Sequence, residues 1–420
     1  MTQAFYSGIS GLQTYSSGIN IVSDNLANIS TTGFRSYNAE FASLFENEMN
    51  TGASLSDSVG VGVQMQATSM SNAQGSFSLS DRSTDLAILG DGWFGIQGDQ
   101  GDTLYTRDGS FGFNPDDALV TKDGFYVLGT MGDNISANDT LTKKLDEIKL
   151  GASTAQQKLR FPKTLTYPAE PTKNAKFMAN IGVGKEGYEI VTTGAHVIDS
   201  QGNNNDLRLE FEKKPVQAPP GTQWSVKATT QSHDGSVVYA TEYGEISFDE
   251  SGALVSSTLT TIDNNGTQVN IDLGLGYSGI VSIDTPVVPG SSITDGTVGG
   301  DLMGYSINKN AEVVATFTNG MQSSVGKIAV YHFQNDQGLD RIDGTHFKVS
   351  DNSGKPMFFT DELGQNVIGA EVMNFALENS NVEMSVGLTE LIIYQRAYDA
   401  NSKSVTTADQ MIQKALQMDA

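Results

Sequence analysis

The sequence predicts a mainly β, nested multidomain protein in which N- and C-terminal coiled-coil-like helices pair and antiparallel inner and outer β domains lie between them. Apolar residues repeat every seven positions near both ends, which is typical of helices that pack along a seam. Eight of the ten prolines fall within residues 162–289, and Asp-Gly or Asn-Gly turn signals separate short β-rich runs. At 420 residues the chain is long enough for several domains.

The N-terminal helix is predicted from a heptad of apolar residues. Its repeating positions are Phe5, Leu12, Ile19 and Leu26, and Tyr15 and Val22 belong to a companion set offset by three. Gly8, Gly11 and Gly18 lower the helix propensity, so this helix should be marginal alone in water. The seam can be covered by another helix of the same chain or by other copies of the chain. The polar, Gly-rich composition favours the second interpretation.

The C-terminal helix is predicted from a second heptad. Its positions are Met384, Leu391, Tyr398, Val405 and Ile412, with Leu388 extending the face and Gln395 interrupting it. Ser380 and Glu383 have the spacing of a capping box, which predicts that the helix starts there. We therefore expect a long amphipathic helix that runs towards the end of the sequence.

The proline clusters at 162–171 and 286–289 predict the two linkers of an inserted domain. We expect a terminal helical core domain at 1–32 and 378–420, a connecting segment at 33–72 and 360–377, an inner β domain at 73–148 and 290–359, and an inserted outer β domain at 149–289. Trp93 and Phe94 are predicted to fill the inner core. Strands do not alternate with helices, which argues against a doubly wound nucleotide-binding fold.

Charge excludes several classes of partner. The net charge of −24 has the wrong sign for nucleic acid or an anionic membrane surface. Residues 1–34 and 381–420 together carry three of those net negative charges, so the acidity lies on the β domains, where it favours solubility. The sequence has no run of about 18 apolar residues and no Lys or Arg in residues 1–34. We expect no membrane insertion and no cleaved signal peptide.

Residue usage also argues against most catalytic and metal chemistry. The chain has no cysteine, which excludes disulfides and thiolate nucleophiles, and its four histidines are far apart in sequence. Acidic pairs such as Asp116-Asp117 and Asp361-Glu362 are explained by chance adjacency among 49 acidic residues.

Two loop motifs resemble ligand sites without meeting their requirements. Residues 274–279 match G-x-G-x-x-G, but a strand-like run follows where a dinucleotide loop needs a helix, so we predict a Gly-rich turn. Asp199, Gln201, Asn203 and Asp206 offer oxygen ligands at the wrong spacing for an EF-hand, which predicts a solvated turn. We predict no catalytic residue, no cofactor and no metal site.

Six motifs, in order along the chain, resemble those of the bacterial flagellar rod and hook proteins. The first is Asn25-Leu-Ala-Asn28-Ile-Ser-Thr-Thr32-Gly33-Phe34-Arg35. The others are Val59-Gly-Val-Gly-Val63, Thr84-Asp-Leu-Ala-Ile-Leu-Gly90-Asp-Gly-Trp-Phe94, Tyr105-Thr-Arg-Asp-Gly-Ser-Phe111, Leu377-Glu-Asn-Ser-Asn-Val382 and Gln395-Arg396-Ala-Tyr398. In that family the short rod proteins lack a large outer insertion, so the length of this chain favours a hook subunit.

The resemblance implies a non-enzymatic subunit that is exported unfolded through the flagellar type III apparatus. It would polymerise with itself, beneath a hook cap, into a curved flexible tube outside the cell, between the distal rod and the hook–filament junction proteins. The two heptads would line the inner tube. Gly33 would end the first helix, and Arg35 and Arg396 would bridge subunits or cap a helix. The alternatives are a distal rod subunit and, from another class, an exported β-rich glycan-active enzyme or adhesin.

Overall fold

A computed structural model describes residues 2–45, 60–98, 100–183, 191–215, 217 and 221–418. Two α-helices, α1 (Thr2–Ala27) and α2 (Met384–Met418), stand at the two ends of the described chain, and short strands fill the part between them. A 3-10 turn spans Asp336–Gly338. Within the described residues, neither helix combines the length and the apolar character needed to cross a membrane. The predicted fold class, mainly β with helical termini, is confirmed.

The strands are numbered along the chain. The N-terminal half holds β1 (Tyr37–Phe45), β2 (Gly60–Met70), β3 (Phe77–Leu79), β4 (Leu86–Leu89), β5 (Trp93–Gln97), β6 (Thr103–Thr106), β7 (Phe111–Phe113), β8 (Leu119–Thr121), β9 (Tyr126–Met131), β10 (Gln157–Lys158) and β11 (Thr166–Tyr167). The middle holds β12 (Asn174–Asn180), β13 (Val191–Ile198), β14 (Asn204–Lys213), β15 (Thr222–Ser232), β16 (Val238–Phe248), β17 (Leu254–Ser257), β18 (Thr261–Asn264), β19 (Thr267–Asp272), β20 (Ile280–Val281) and β21 (Val288–Thr294). The C-terminal part holds β22 (Gly300–Ile307), β23 (Glu312–Phe317), β24 (Gln322–Ile328), β25 (Val330–Tyr331), β26 (Asp340–Asp343), β27 (His346–Lys348), β28 (Phe359–Thr360), β29 (Asn366–Val367), β30 (Glu371–Asn374) and β31 (Ala376–Glu378).

The inner domain combines strands from both sides of the insertion. Its main sheet runs β11-β22-β23-β24-β9-β5-β6-β27-β26, so strands far apart in sequence are neighbours. Trp93 and Phe94 are both buried there, as predicted, and Phe94 packs edge-on against Phe111. Strands within residues 93–131 and strands within residues 300–348 thus share one sheet.

The outer domain packs two five-stranded sheets against one apolar core. One sheet is the antiparallel meander β13-β14-β15-β16-β17, in which alternate residues such as Leu207, Leu209 and Phe211 face inwards. The other has the order β18-β19-β12-β20, with β21 also pairing with β12. Strand β12 runs parallel to β19 and β20, an exception to the predicted antiparallel pairing. In the sequence, the whole meander comes between β12 and these two partners. It therefore forms the crossover connection that parallel pairing of strands requires.

The cores place the first domain boundary later than the predicted start of the outer domain at 149, near the end of the first proline cluster. Leu159, Phe161, Leu165 and Tyr167 are buried in the inner core, although the predicted outer domain began at 149. Residues 174–294 contain the strands of the outer sheets. The chain crosses between the domains beside an antiparallel bridge that joins Glu170 to Thr297. The prolines at 162 and 168 therefore lie within the inner domain and do not mark its edge.

The predicted connecting segments are structured as well. Strands β1 and β2 form an antiparallel hairpin that packs on α1, and the hydroxyl of Thr14 donates to the carbonyl of Val63 at 3.0 Å. Val59, at the start of the second motif, lies outside the described residues. Near the C-terminus, β30 pairs with β4 and Val372 is buried in the inner core. Part of 360–377 thus belongs to the inner domain.

The predicted helix ends also differ from those observed. Helix α2 begins at Met384, and the Ser380 hydroxyl instead accepts from the nearby amide of Val382 at 3.3 Å. Ser380 and Glu383 therefore do not form a capping box. Helix α1 ends at Ala27, six residues before Gly33, because Asn28 and Thr31 already form turns of their own. Gly33 does not terminate α1.

Candidate functional site

The two terminal helices pack against each other within the chain, and glycines lie at their contact. A Cβ atom added to Gly8 would lie 2.6 Å from Cγ2 of Val405, and one on Gly11 would lie 2.6 Å from Oδ1 of Asn401. A Cβ atom added to Gly387 on α2 would likewise lie 2.9 Å from Cδ2 of Leu26. The glycines of α1 therefore allow close approach of α2. The Gly-rich composition favours contacts between copies of the chain, yet here these glycines lie at a contact within one chain.

The N-terminal heptad residues lie partly in this helix pair. Val22 is buried, and Phe5, Leu12, Tyr15, Ile19 and Leu26 are half-buried. Tyr15 contacts Phe41 of β1 and Tyr394 of α2, with ring centroids 5.7 and 6.1 Å apart. This aromatic cluster joins α1, α2 and the β1–β2 hairpin. It includes Phe41 and Tyr394, two contact residues that the heptads did not identify.

Some residues of the C-terminal heptad are half-buried and others are exposed to solvent. Leu391, Val405 and Ile412 are half-buried, whereas Met384, Leu388, Gln395, Arg396 and Tyr398 are exposed. Ala408 is buried, and Gly387, Tyr394 and Asn401 precede it at intervals of seven residues. The contact face of α2 is thus rotated from the predicted heptad, because small and polar residues, invisible to an apolar periodicity, form its centre.

Helix α2 leaves a set of large apolar side chains uncovered in the single chain, here called the outer face of α2. Its members are Met384, Leu388 and Ile392, which are 46–55% exposed and, at a spacing of four residues, lie on one side of the helix. Val386 and Ile393 are exposed to a similar extent on a different side of α2. An uncovered row of large apolar side chains is typical of an interaction site.

The N-terminal motif connects α1 to the rest of the molecule. The side-chain amide of Asn25 donates to the carbonyl of Tyr37 at 2.8 Å, and its oxygen accepts from the Tyr37 amide at 3.0 Å. Asn28 bonds back to Asp24 and accepts from Thr31, which closes the turn after the helix. Thr32 is half-buried beside it. The two asparagines therefore fix the direction in which the chain leaves α1.

Gly33 and Phe34 place this turn against the inner domain. Gly33 has a φ of +69°, and a Cβ there would lie 2.4 Å from the backbone nitrogen of Asp108. Its amide donates to the carbonyl of Glu378 at 2.8 Å. Phe34 is buried beneath the guanidinium of Arg341, 5.2 Å from the ring centroid. Only glycine satisfies both the backbone conformation and the close approach.

Arg35 ends the motif in a buried ion cluster. Its Nη2 lies 3.0 Å from Oε1 of Glu378, and Nη1 of Arg107 lies 3.4 Å from Oε2 of the same carboxylate. The three side chains are 1–4% exposed. The Glu378 carboxylate also accepts from the amide of Gly75 at 3.1 Å, and Arg35 donates to the carbonyl of Ala73. Arg35 was predicted to bridge subunits or cap a helix; in this structure it joins segments of one chain.

The cluster carries two cations for one anion. Burial, together with the neighbouring Arg35, lowers the pKa of Arg107 to about 10, although Glu378 opposes the shift. Burial also lowers the pKa of Arg35, again against Glu378. Both arginines stay charged at neutral pH, so Glu378 is the group that makes their burial tolerable. We call Arg35, Arg107 and Glu378 the junction cluster.

The remaining candidates from the sequence are the Gly-rich turn, the Asp199 turn and the histidines. Residues 274–279 form a turn before β20, as predicted. In the Asp199 turn, Gln201 and Asn203 are exposed, as expected of a solvated turn, but Asp199 itself is buried. Its oxygens accept from the side-chain amides of Asn203 and Asn265 at 3.0 and 2.8 Å. Two of the four histidines, His196 and His233, lie on either side of Asp206, although they are 37 positions apart in sequence. The separation of the histidines in sequence gave no indication that this pair meets in the fold.

Paired terminal helices, nested β domains and an uncovered apolar helix face are typical of a structural protein that offers a surface for interaction. Four family models match consecutive parts of the chain. They are the flagella basal body rod protein (residues 5–35), the flagellar hook protein FlgE/F/G D1 domain (87–165), the flagellar basal body protein FlaE D2 domain (184–336) and the flagellar basal body rod FlgEFG protein C-terminal (373–418). The chain belongs to the family of flagellar rod and hook proteins.

Known relatives align along nearly the whole length. The flagellar hook protein FlgE of Borreliella burgdorferi is 26% identical over 463 residues and covers 100% of both chains. That of Salmonella typhimurium is 26% identical over 433 residues, covering 97% of this chain and 98% of the relative. The crystal structure of Helicobacter pylori flagellar hook protein FlgE2 has a TM-score of 0.51 at 16% identity and covers 72% of this chain and 100% of that chain. This last likeness supports the fold.

Proposed function

We propose that this chain is the structural subunit of the flagellar hook, which assembles with copies of itself into a curved, flexible tube that passes torque from the rod to the filament. The observation that carries the proposal is the alignment with proteins named flagellar hook protein along 97–100% of this chain, outer domain included. The family is structural, and the chain is not an enzyme.

The outer face of α2 supports self-assembly. Covering it against another copy removes apolar surface from water, which contributes about 25 cal/mol per Å². A contact between two different surfaces of identical subunits continues indefinitely when it does not close into a ring, and it then generates a helical tube. In this proposal Met384, Leu388 and Tyr398 complete their packing in the polymer, together with the N-terminal heptad and the exposed Gln395 and Arg396.

The charge distribution supports a radial arrangement. The terminal segments carry little net charge, so they can pack densely at the centre of a tube, whereas the acidic β domains face solvent. The nested order of domains allows this, because both ends of the chain return to the same place.

The partners proposed beyond the chain itself follow from its family. They are the distal rod at the base, the hook cap during growth, the hook–filament junction proteins at the far end, and the flagellar type III export apparatus. The proposed location is the extracellular hook. The absence of cysteine suits a chain that travels unfolded and assembles outside the cell without crosslinks.

Electron microscopy of polymerised, purified protein tests the proposal. We expect curved tubes from the wild-type chain and from Leu363→Gln, which changes an exposed leucine in the β28–β29 turn. We expect the double variant Leu388→Gln/Ile392→Gln to remain monomeric with unchanged circular dichroism. Straight rods would favour a distal rod subunit, and unimpaired tubes from the double variant would remove the assigned role of α2.

A further inference from the structure

Three side chains with metal-binding groups meet on the outer domain. His196 lies in β13, Asp206 is its direct partner in β14, and His233 follows the end of β15. Asp206 pairs with Gln231, so His233 stands two residues further along, at the diagonal position. The three neighbouring strands thus bring the side chains together on the face that points away from the apolar core.

The distances within this cluster are short. Oδ1 of Asp206 lies 2.8 Å from Nδ1 of His196 and 3.3 Å from Nδ1 of His233. The two imidazole centroids are 5.7 Å apart, and one ligand atom from each residue can be chosen such that all lie within 4.8 Å of one another. Ligands of tetrahedral zinc, with bonds of about 2.0–2.2 Å, stand about 3.4 Å apart. Small side-chain rotations bring the three groups to that spacing.

We propose that His196, Asp206 and His233 form a binding site for a divalent transition-metal ion of the zinc class. Two imidazole nitrogens and one carboxylate oxygen suit Zn²⁺, whereas Ca²⁺ and Mg²⁺ prefer all-oxygen surroundings. Three protein ligands leave one tetrahedral position for water or for a group from another molecule. The site stands on local geometry and does not depend on the proposed function of the chain.

The surroundings make the site reachable from solvent. His196 and His233 are 68% and 66% exposed, whereas Asp206 is 29% exposed and held in the middle strand. An ion can therefore bind without opening the domain. Once bound, it joins β13, β14 and the β15–β16 turn. Because imidazoles must be unprotonated to bind a metal, the affinity should fall as the pH is lowered.

The test is a zinc titration of the full-length, tag-free monomer against a chromophoric chelator, in a large excess of Mg²⁺ that occupies the acidic surface. We expect one zinc per chain. His196→Ala, His233→Ala and Asp206→Asn should each weaken binding by at least about tenfold, which is the loss seen even for outer-shell groups. Thr192→Ala, an exposed residue four positions before His196 in β13, should bind like the wild type.

Imidazole NMR signals of the wild-type chain provide a second measurement. Zinc should shift the signals of His196 and His233 and leave those of the buried His332 and His346 unchanged. The proposed site would be refuted if excess Mg²⁺ abolished zinc binding. It would also be refuted if zinc binding persisted in His196→Ala or in His233→Ala. Absence of binding at one zinc per chain would show that the three residues form a hydrogen-bonded cluster only.

Discussion

At the scale of single residues, the junction between the terminal helices and the inner domain depends on Glu378. Its carboxylate lies between Arg35 and Arg107, which are 343 and 271 positions away in sequence. All three belong to the motifs quoted from the sequence, so the signal for their importance was present. Their pairing was not predictable, because a charged residue in a motif does not reveal its partner or its burial.

Glu378→Gln should destabilise the inner domain strongly. The amide keeps the size of the side chain but removes the carboxylate that pairs with two buried guanidinium groups, and loss of one partner from a buried ion pair costs about 3–5 kcal/mol. The urea midpoint of the inner-domain transition measures the effect. The matched control is Asp146→Asn, whose carboxylate pairs with Lys144 at 3.3 Å on the surface. Equal midpoints for the two variants would show that the junction cluster does not stabilise the fold.

His332 should make stability depend on pH. It is buried, its Nε2–H donates to the carbonyl of Ile368, and burial lowers the pKa of its imidazole. The unfolded chain therefore takes up the proton first. The stability associated with the neutral ring is complete above pH ~6.5 and is lost as the pH falls through the lower pKa of the folded state.

Denaturation of wild type and His332→Gln over the range from about pH 8 to pH 5 measures this contribution. The wild type should lose up to about 1.4 kcal/mol per pH unit more than the variant across the acidic part of the range. The glutamine retains a donor for Ile368 and does not titrate. Parallel pH profiles for the two proteins would contradict the assignment.

At the scale of elements, the terminal helices show what periodicity reveals and what it misses. Both helices, and their apolar character, were predicted from the heptads. Their mutual contact face was not, because Gly8, Gly11 and Asn401 lie at its centre and a search for apolar repeats passes over such residues. Close packing of two helices at glycines depends on the shape of both surfaces, which one helix sequence does not contain.

Gly8→Ala should loosen the helix pair although alanine is the better helix former by about 1 kcal/mol. The new methyl group would lie 2.6 Å from Cγ2 of Val405, whose β-branched side chain has little freedom to move. Amide hydrogen exchange along α1 should therefore accelerate. Adding Val405→Ala removes the clashing methyl group, so the double variant should lose less protection than the sum of the single variants.

Ser16→Ala is the control for helix propensity, since Ser16 is exposed on the same helix. It should slow exchange in α1. If Gly8→Ala also slowed exchange, and Val405→Ala showed no coupling to it, the glycine contact between α1 and α2 would be refuted.

At the scale of the whole molecule, the sequence predicted the nesting of one β domain within another but placed the entry to the outer domain too early. Proline marks bends and linkers and carries no information about which core a neighbouring residue joins. The burial of Leu159 and Phe161 in the inner core depends on strands contributed from beyond residue 300. The first half of the chain therefore cannot specify its own boundary.

Removal of the outer domain at the observed boundary should leave a folded protein. Glu170 and Thr297 exchange backbone hydrogen bonds of 2.8 and 2.9 Å, so a Gly-Gly link in place of residues 172–295 spans the gap without strain. We expect a cooperative thermal transition and native-like circular dichroism. Removal of 149–289 is the control, because it deletes Phe161 and Tyr167 from the core, and loss of a buried Phe alone costs about 3–5 kcal/mol. Equal behaviour of the two deletions would contradict the domain assignment.

In the polymer proposed above, the paired terminal helices form the inner contacts of the tube through the outer face of α2. A helical reconstruction of the assembled protein by electron cryomicroscopy shows these contacts directly. We expect a curved tube in which Leu388 and Ile392, exposed in the single chain, are buried against a neighbouring subunit and the outer domain faces solvent. A polymer held together by the β domains, with this face of α2 still open to water, would contradict it.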